Sequence, residues 1–467
     1  MKRTGRVHLV GIGGAGMSAI ALVLLEKGIP VSGSDLKESR YVTRLREMGA
    51  VVYIGHRPIH VDGCELVVYS SAIPEDNPEL VEARRRGLPV LRRAEMLGRI
   101  MAEGKGIAVA GTHGKTTTTS MLAMILRQAG QDPTYIVGGE LNDVGSNAYA
   151  GQGEYVVAEA DESDGSFLLL HPWSAVITNV ELDHPDFYPD EETLRDHFRR
   201  FVATLSPDGF VVLYGDDPVC RELAGYCRCR VITFGEGMGC DYRFDDVKTA
   251  PGGASFRLWE GERCLGEMRL RVPGRHNVAN ATAAVAASRA LGVDPDAAFQ
   301  ALGCFQGVRR RFQLVDEVGG IRFVDDYAHH PTEIRAVLRT ARQEGFRRVV
   351  CLFQPHRYSR VSVLWRELGE ALGEADLVLL TEIYPAGERP IPGVDSKLVL
   401  DALLEEKPQC QVVFLPERAT VGEYASRFLR PGDLVVVMGA GDISQCAHEL
   451  PRLLREGRGA TAQGLRR

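Results

Sequence analysis

The chain has 467 residues, of which 45% are hydrophobic and 25% charged, a composition typical of a globular protein with about three domains of roughly 150 residues each. Its formal net charge of -7 argues against a nucleic-acid partner, since such proteins favour a basic face. No apolar run approaches the roughly 20 residues that span a bilayer, so we predict a cytoplasmic protein, without membrane insertion, that acts on small molecules.

The first hundred residues alternate short apolar runs with helical segments. Strands are predicted at "RVHLVGIG", "VSGSD", "VVYIG", "ELVVYSSAI" and "LPVL", and helices over about 16–27 and 40–48. Short apolar strands separated by helices indicate a parallel, doubly wound sheet. Residues 1–99 are therefore predicted to form a Rossmann-like domain.

The remaining chain is predicted to form two further α/β domains. Residues 100–311 open on the strand "GIAVAG" and carry short strands joined by polar turns between about 240 and 272, which predicts a mostly parallel sheet with a small antiparallel patch. Residues 312–467 again alternate strands such as "RRVVCLF" and "DLVVVMG" with helices, which indicates a second Rossmann-like domain. The last residues, "GRGATAQGLRR", are expected to fray.

A glycine turn in the second domain, "GTHGKTTTTS", lies between a predicted buried strand and an amphipathic helix. A lysine and four threonines are poor choices for the stability of a helix start, so we expect an anion there. The stretch is a short GxxGKT form of the phosphate-binding loop, because Val109 occupies the position of the first glycine in GxxxxGK[ST]. We predict that Lys115 contacts the β- and γ-phosphates of ATP and that the Thr116 hydroxyl binds Mg2+. The loop residues predicted to bind ATP are Gly111, Thr112, His113, Gly114, Lys115, Thr116 and Thr117.

A second glycine loop, "GIGGAGMSA", places Gly11, Gly13 and Gly16 in a GxGxxG pattern after the first strand, with Asp35 nineteen residues beyond Gly16. This is the fingerprint of a nicotinamide dinucleotide site. However, the pattern encodes only close backbone approach to a pyrophosphate, which UDP also carries. Since another loop already fits a triphosphate, we favour a UDP-sugar site, which also includes Gly14; a dinucleotide site and a purely structural turn remain alternatives.

Six segments resemble the Mur ligase family, in order and at sensible spacing from residue 7 to about 445. They are "GTHGKTTT", "EADESD" at 159–164, "TNVELDHPDFY" at 178–188, "HNVAN" at 276–280, "DDYAHHPTEI" at 325–334 and "FQPHRYSR" at 353–360. The resemblance implies ligation of L-alanine to UDP-N-acetylmuramate with ATP and Mg2+, for peptidoglycan synthesis. The alternative is a ligase that attaches a murein tripeptide to the same sugar nucleotide. The resemblance also places Ser70 and Ser71, and less directly Asp35, along the nucleotide, while monomer and homodimer both remain open.

Two residues are predicted to complete a metal site. Glu159 ends the strand "EYVVAEA" and His184 follows the strand "SAVITNV", so both lie near the carboxyl edge of the sheet, where ligands bind in open α/β folds. The resemblance puts a second Mg2+ on them, although a surface carboxylate and a helix-capping histidine would give the same pattern. No lysine lies between Lys115 and Lys248, so we expect no carbamylated lysine at this site.

The adenosine side of ATP is predicted to contact residues from two later segments. The amides of Asn277 and Asn280 present both donor and acceptor to an adenine edge, although they also suit helix caps. Arg311 would bridge phosphates from the third domain, and Asp326 suits a ribose hydroxyl.

The loop "FQPHRYSR" is predicted to bind the amino acid. It follows a strand, and the arginine forks of Arg357 and Arg360 are suited to a free α-carboxylate. We expect His356, Tyr327 and His330 nearby. The predicted catalytic residues are Lys115, Glu159, His184 and Arg357.

Overall fold

The structure is a computed structural model that describes the backbone of residues 5–464 and the side chains of residues 5–456. The segment predicted to fray, 457–467, therefore lies outside the residues whose side chains are described. Three sheets follow one another along the chain, and each falls inside one of the three predicted domains. The boundaries near residues 100 and 312 stay predictions.

The N-terminal domain is built on a five-stranded parallel sheet with the order β3-β2-β1-β4-β5. Its strands are β1 (Arg6–Val10), β2 (Val31–Asp35), β3 (Val51–Ile54), β4 (Cys64–Tyr69) and β5 (Val90–Arg92), and its helices α1 (Ala15–Glu26), α2 (Arg40–Glu47), α3 (Pro78–Arg85) and α4 (Arg93–Met101). The strand order reverses between β1 and β4. The glycine loop between β1 and α1 therefore lies at the switch point where open α/β sheets bind ligands.

The central domain is built on a ten-stranded sheet with the order β15-β14-β13-β12-β11-β10-β6-β9-β7-β8. The strands are β6 (Lys105–Ala110), β7 (Thr134–Leu141), β8 (Ser146–Tyr149), β9 (Tyr155–Glu159), β10 (Ser174–Ile177), β11 (Phe210–Tyr214), β12 (Arg230–Gly235), β13 (Tyr242–Ala250), β14 (Gly253–Glu260) and β15 (Arg263–Leu270). The helices are α5 (Lys115–Gln128), α6 (Glu191–Ala203), α7 (Pro218–Leu223), α8 (Arg275–Ala290) and α9 (Pro295–Cys304). The neighbours in the stretch β13-β12-β11-β10-β6-β9-β7 pair in parallel, and β13–β15 form the predicted antiparallel patch. The antiparallel β7–β8 pair at the other edge was not predicted.

Helix α5, which follows the phosphate loop, is buried on almost every side. It packs against the alanine-rich helix α8, whose small side chains allow close approach. Two hydroxyls bond back to the helix: Thr119 donates to the Lys115 carbonyl at 2.8 Å and Ser120 to the Thr116 carbonyl at 2.7 Å, whereas Thr118 Oγ1 has no partner among the described residues. This packing fixes the phosphate loop to the core.

The C-terminal domain is built on a six-stranded sheet with the order β16-β17-β21-β18-β19-β20, parallel except for the β16–β17 pair. The strands are β16 (Gln313–Val318), β17 (Ile321–Asp326), β18 (Arg348–Phe353), β19 (Leu377–Leu380), β20 (Gln411–Phe414) and β21 (Asp433–Met438). The helices are α10 (Pro331–Gln343), α11 (Tyr358–Leu372), α12 (Ser396–Glu406), α13 (Arg418–Ser426) and α14 (Gln445–Gly464). Short 3₁₀ helices cover Pro58–Val61, Ser166–Leu169, Ala224–Tyr226 and Asp442–Ser444. Among the described helices, none is long and apolar enough to cross a membrane.

Candidate functional site

A cavity of about 690 Å³ lies between the three domains and receives residues from each of them. Fourteen predicted site residues line it: Gly14, Gly16, Ser70, Ser71, Thr112, Lys115, Thr116, Glu159, His184, Arg311, Tyr327, His356, Arg357 and Arg360. The other predicted residues lie outside this lining: Gly11, Gly13, Asp35, Gly111, His113, Gly114, Thr117, Asn277, Asn280, Asp326 and His330. The tertiary structure thus brings residues from segments more than 300 positions apart to one chamber.

Three adjacent parallel strands explain how the central domain fills its side of the cavity. Strands β9, β6 and β10 are neighbours, and their carboxyl ends meet at one sheet edge. The phosphate loop follows β6, Glu159 ends β9, and His184 lies in the segment after β10. Both Glu159 and His184 line the cavity.

The phosphate loop has the backbone that an anion site requires. Gly111 has φ +123° and Gly114 has φ +83°, and a Cβ at either position would collide with a neighbour, Thr178 or Asn280 respectively. The first intrahelical bond of α5 runs from the Thr118 N–H to the Gly114 carbonyl. The N–H groups of residues 115–117 therefore have no acceptor inside the helix and are available to a phosphate.

Lys115 is held over its own loop by three acceptors. Its Nζ donates to the carbonyls of Gly111 at 2.7 Å and Thr112 at 3.0 Å, and to Glu162 Oε1 at 2.9 Å. Glu162 is 1% exposed, and burial raises its pKa to about 7, although the Lys115 ammonium opposes that shift. Burial alone would lower the pKa of Lys115, but Glu162 and neighbouring carboxylates outweigh it, so this pKa is raised and the ammonium stays charged.

Thr116 and Glu159 form an oxygen-rich pair at the start of α5. The Thr116 hydroxyl lies 2.9 Å from Glu159 Oε2 and 3.1 Å from Oε1, and the Gly138 N–H donates to Oε2 at 2.8 Å. A hydroxyl and a carboxylate beside a phosphate-binding loop are the hard oxygen donors that Mg2+ prefers. The residues present therefore fit the ion that the sequence predicts.

His184 lies close to two carboxylates but is held neutral. Its Nε2 is 3.7 Å from Asp183 Oδ2 and 4.0 Å from Glu162 Oε1. Burial lowers its pKa, and Asp183 offsets this only in part. Its backbone has φ +57°, a left-handed conformation that is uncommon outside glycine. A neutral imidazole in a fixed, unusual conformation is suited to ligate a metal ion.

The N-terminal glycine loop is closed by Asp35 instead of presenting that carboxylate to the cavity. The Gly13 N–H donates to Asp35 Oδ2 at 2.9 Å, and Gly11 adopts φ +82°. Ser70 and Ser71, which follow β4, do line the cavity. Asp35 therefore organises the loop, while Gly14, Gly16 and the two serines form its cavity wall.

Three residues predicted for the adenosine side make internal contacts. Asn277 donates to the Pro273 carbonyl at 2.7 Å, and Asn280 Nδ2 lies 3.4 Å from Asn277 Oδ1. Both oxygens of Asp326 accept backbone N–H groups, from Phe312 at 2.6 Å and Ala328 at 2.7 Å. These bonds hold the start of the C-terminal domain, and each oxygen keeps a further acceptor site, so the ribose contact stays a prediction.

The predicted amino-acid loop lies at the cavity, but its two arginines are engaged by the central domain. Arg360 donates to Asp183 Oδ1 from Nε at 3.0 Å and from Nη2 at 2.8 Å, and both side chains are almost fully buried. Arg357 Nη1 lies 2.6 Å from Asp186 and is more exposed, with 32% of its side chain accessible. Burial lowers the pKa of His356 to about 2, so its neutral Nδ1 accepts from Arg360 Nη1 at 3.1 Å. Arg357 is thus the more accessible arginine for a substrate carboxylate.

Arg311 and Tyr327 lie together on the C-terminal side of the cavity. The Arg311 guanidinium is 5.4 Å from the centre of the Tyr327 ring and 3.6 Å from Glu333. His330, in contrast, is buried beside the phosphate-loop residue His113, with ring centres 4.8 Å apart. Tyr327 therefore reaches the predicted substrate side, and His330 does not line it.

Sequence reasoning gave no role to several residues that the structure places at the site. These are Arg93, Asp161, His329 and Glu333, which line the cavity, and Glu162, which contacts Lys115. Asp161 and Glu162 belong to the quoted "EADESD" segment, so proximity to Glu159 in sequence was the available signal. No local pattern marks Arg93. This residue of the N-terminal domain lies 3.3 Å from Asp161 of the central domain.

The fold and the cavity define a three-domain α/β nucleotide-binding protein whose site is assembled between domains. Family models match the chain throughout: "Mur ligase family, catalytic domain" over residues 6–105, "Mur ligase middle domain" over 109–288, and "Mur ligase, glutamate ligase domain" over 310–441. The chain belongs to the Mur ligase family.

Individual relatives are similar over nearly their whole length. UDP-N-acetylmuramate--L-alanine ligase from Rubrobacter xylanophilus is 54% identical over 95% of this chain and 99% of the relative. The protein of the same name from Desulforamulus reducens is 49% identical over 97% and 98%. The crystal structure of UDP-N-acetylmuramate-alanine ligase from Thermotoga maritima is 30% identical, with a TM-score of 0.82 over 97% of this chain and 100% of that one.

Proposed function

We propose that this protein joins L-alanine to the lactyl carboxylate of UDP-N-acetylmuramate, with ATP cleaved to ADP and phosphate, in the synthesis of peptidoglycan precursors. The names of its relatives support this assignment. The observation that carries it is the shared cavity, where a phosphate loop, a pyrophosphate-type glycine loop and an arginine-bearing loop from three domains meet. Such a chamber brings three substrates within reach of one another.

The reaction must overcome the poor reactivity of a carboxylate toward an amine. In the proposed first step a lactyl oxygen attacks the γ-phosphorus of ATP, the bond to the β-phosphate oxygen breaks, and an acyl phosphate and ADP form. In the second step the deprotonated amine of L-alanine attacks the acyl carbon. The bond between the acyl carbon and the phosphate oxygen then breaks. Inorganic phosphate leaves, and the amide remains.

The central domain's own residues supply charge and position for the first step. Lys115 would exchange its present contact with Glu162 for the transferring phosphoryl group, and the N–H groups of residues 115–117 would bind phosphate oxygens. Thr116 and Glu159 would hold one Mg2+, and Glu159 and His184 a second. When bound, Mg2+ neutralises charge between two anionic reactants.

The other two domains would bind the remaining substrates. The loop from Gly14 to Gly16, with Ser70 and Ser71, would receive the UDP-sugar. Arg357 would bind the alanine carboxylate, because an exposed guanidinium fork can form two parallel hydrogen bonds with it. Docking of the C-terminal domain would exclude water from the acyl phosphate. A cytoplasmic location remains a prediction.

Phosphate release from ATP with Mg2+ tests the proposal directly. We expect release that requires both UDP-N-acetylmuramate and L-alanine, with a product heavier by one alanyl residue. Glycine, L-serine and the murein tripeptide serve as competing acceptors. Release only with the tripeptide would assign the protein to cell-wall recycling, and no release with NADH binding would reinstate the dehydrogenase interpretation of the first glycine loop.

A further inference from the structure

A cluster of two histidines and a glutamate connects the central and C-terminal domains outside the cavity lining. His113 belongs to the phosphate loop, Glu181 follows β10, and His330 precedes α10. One ligand atom from each lies within 4.8 Å of the other two. His113 Nε2 is 3.0 Å from Glu181 Oε2, which is 4.0 Å from His330 Nδ1.

We propose that His113, Glu181 and His330 form a binding site for a borderline divalent cation, Zn2+, that links the two domains. Ligands around a tetrahedral Zn2+ lie about 3.4 Å apart, so small side-chain movements would suffice to enclose the ion. Two imidazole nitrogens and one carboxylate oxygen match Zn2+ and disfavour Mg2+, which prefers oxygen donors. Three protein ligands leave a fourth position for water.

Neighbouring residues orient the cluster in the way that zinc ligands usually require. Glu333 Oε1 lies 3.3 Å from His113 Nδ1 and can accept its N–H, which leaves Nε2 for the ion. The Thr332 hydroxyl donates to Glu181 Oε1 at 2.7 Å, which leaves Oε2 free to bind. These outer contacts come from α10, so the site is complete only when the C-terminal domain is docked.

His330 has a weakly engaged nitrogen, Nδ1, on the side of Glu181. It is 3% exposed, and its Nδ1 accepts only a long 3.4 Å hydrogen bond from the Thr332 N–H. Its Nε2 has no hydrogen-bond partner among the described residues; with the ring proton on Nε2, the lone pair of Nδ1 is the one that faces the cluster. Burial, together with His113, lowers the pKa of His330, so the ring is neutral and can bind a metal.

An ion at this site must displace a proton from His113. Burial lowers the pKa of His113, but the carboxylates of Glu181 and Glu333 outweigh this and raise it to about 9. Near neutral pH the His113 ring, which lies between these two carboxylates, is therefore protonated on both nitrogens. Zn2+ binding should release that proton, and Glu181, with 43% of its side chain accessible, gives the ion a route in from solvent.

The test uses the full-length protein in excess Mg2+ without nucleotide or sugar, so its outcome does not depend on the proposed ligase activity. Calorimetric titration with Zn2+ should show one saturable site with proton release. Co2+, as a spectroscopic substitute, should give ligand-field absorption without a sulfur-to-cobalt charge-transfer band. That band would place the ion on the free cysteines and overturn the proposal.

Matched variants separate this site from other histidines. Loss of an outer partner of a zinc ligand typically weakens metal binding about 10–100-fold, and we expect a loss in this range for Glu333→Gln. Glu181→Gln and His330→Gln each remove a direct ligand, so each should weaken Zn2+ binding by at least about 10–100-fold. His56→Gln, in the separate histidine cluster around Glu79, should bind Zn2+ like the wild type. The proposal is overturned if the wild type shows no saturable Zn2+ binding, or if the Glu181 and His330 variants bind Zn2+ as tightly as the wild type. Either result would show that the cluster holds only a proton.

Discussion

Arg360 and Asp183 form a buried ion pair between the C-terminal and central domains, with Nη2 2.8 Å and Nε 3.0 Å from the same carboxylate oxygen. Asp183 also accepts the His184 N–H at 2.6 Å. Burial by itself would raise the pKa of Asp183, but the neighbouring Arg360 guanidinium outweighs it and holds that pKa well below its usual range. Docking of the C-terminal domain is thereby coupled to the segment that carries a predicted metal ligand.

Arg360→Met should loosen the docking of the two domains. Removing one partner of a buried pair leaves an uncompensated charge and costs about 3–5 kcal/mol. We expect a lower unfolding temperature and a larger radius of gyration in small-angle X-ray scattering. Adding Asp183→Leu should recover most of the loss, because the isolated charge is then gone.

Arg366→Met on the same helix is the matched control. The Arg366 side chain is 65% exposed, and its ion pair with Glu405 is long, at 3.8 Å. Its loss should therefore change the stability by no more than about 0.5 kcal/mol. If Arg360→Met and Arg366→Met behave alike, the ion pair does not stabilise the docked arrangement.

Lys115→Ala should nearly abolish turnover. Removing a single donor that stabilises transition-state charge costs about 10²–10³-fold in kcat, and Lys115 is the residue predicted to contact the γ-phosphate. Steady-state phosphate release measures the effect. Lys105→Ala, in a strand of the same sheet, removes an exposed ammonium paired with Glu154 and should retain full activity.

The Lys115 variant also leaves Glu162 buried without its cation, so a folding defect has to be separated from a catalytic one. Lys115→Ala combined with Glu162→Gln restores charge balance. We expect this double variant to unfold at nearly the wild-type temperature and to remain inactive. Recovery of turnover in it would remove Lys115 from the proposed phosphate contacts.

Glu159→Gln should raise the Mg2+ concentration needed for half-maximal activity. An amide keeps one oxygen but loses the charge that attracts a hard cation, so the ion binds more weakly. The measurement is phosphate release over a Mg2+ titration, with chelation by EDTA as the zero point. Glu154→Gln is the control, because Glu154 is an exposed residue just before the same strand. Its Mg2+ curve should overlay that of the wild type.

Glu79 should make the N-terminal domain sensitive to acid. Burial raises the pKa of this carboxylate, but the adjacent His8 and the hydrogen bonds with Ser34 and His60 outweigh it and lower the pKa from 4.5 to about 2. Because the folded pKa lies below the unfolded one, Glu79 contributes about 3 kcal/mol above pH 4.5. That contribution is lost as the pH falls through the interval from 4.5 to about 2.

Urea unfolding of wild type and Glu79→Gln at several pH values between 3 and 7 measures this contribution. We expect the two proteins to differ most at neutral pH and to converge toward pH 3. Glu82→Gln on the same helix removes a surface carboxylate paired with Arg85 and Arg86, and its smaller effect should fade with added salt. A constant difference between wild type and Glu79→Gln across the pH range would contradict the assignment.

The sequence alone determined the α/β class, the phosphate loop and the antiparallel patch. These are local properties: the alternation of apolar runs with helical segments, and a glycine turn between a strand and a helix, are written in consecutive residues. It also placed Glu159 and His184 at one sheet edge, because parallel strands deliver their carboxyl ends to the same side.

Only the tertiary structure decided which side chains meet across domains. Arg360 and Asp183 are 177 positions apart, and no periodicity in either segment specifies that contact. Likewise, no local pattern predicted that both oxygens of Asp326 accept backbone N–H groups. Local patterns fix the direction of a strand or helix, but the partner of a buried charge depends on how separate domains pack, since an unpaired charge there would be too costly.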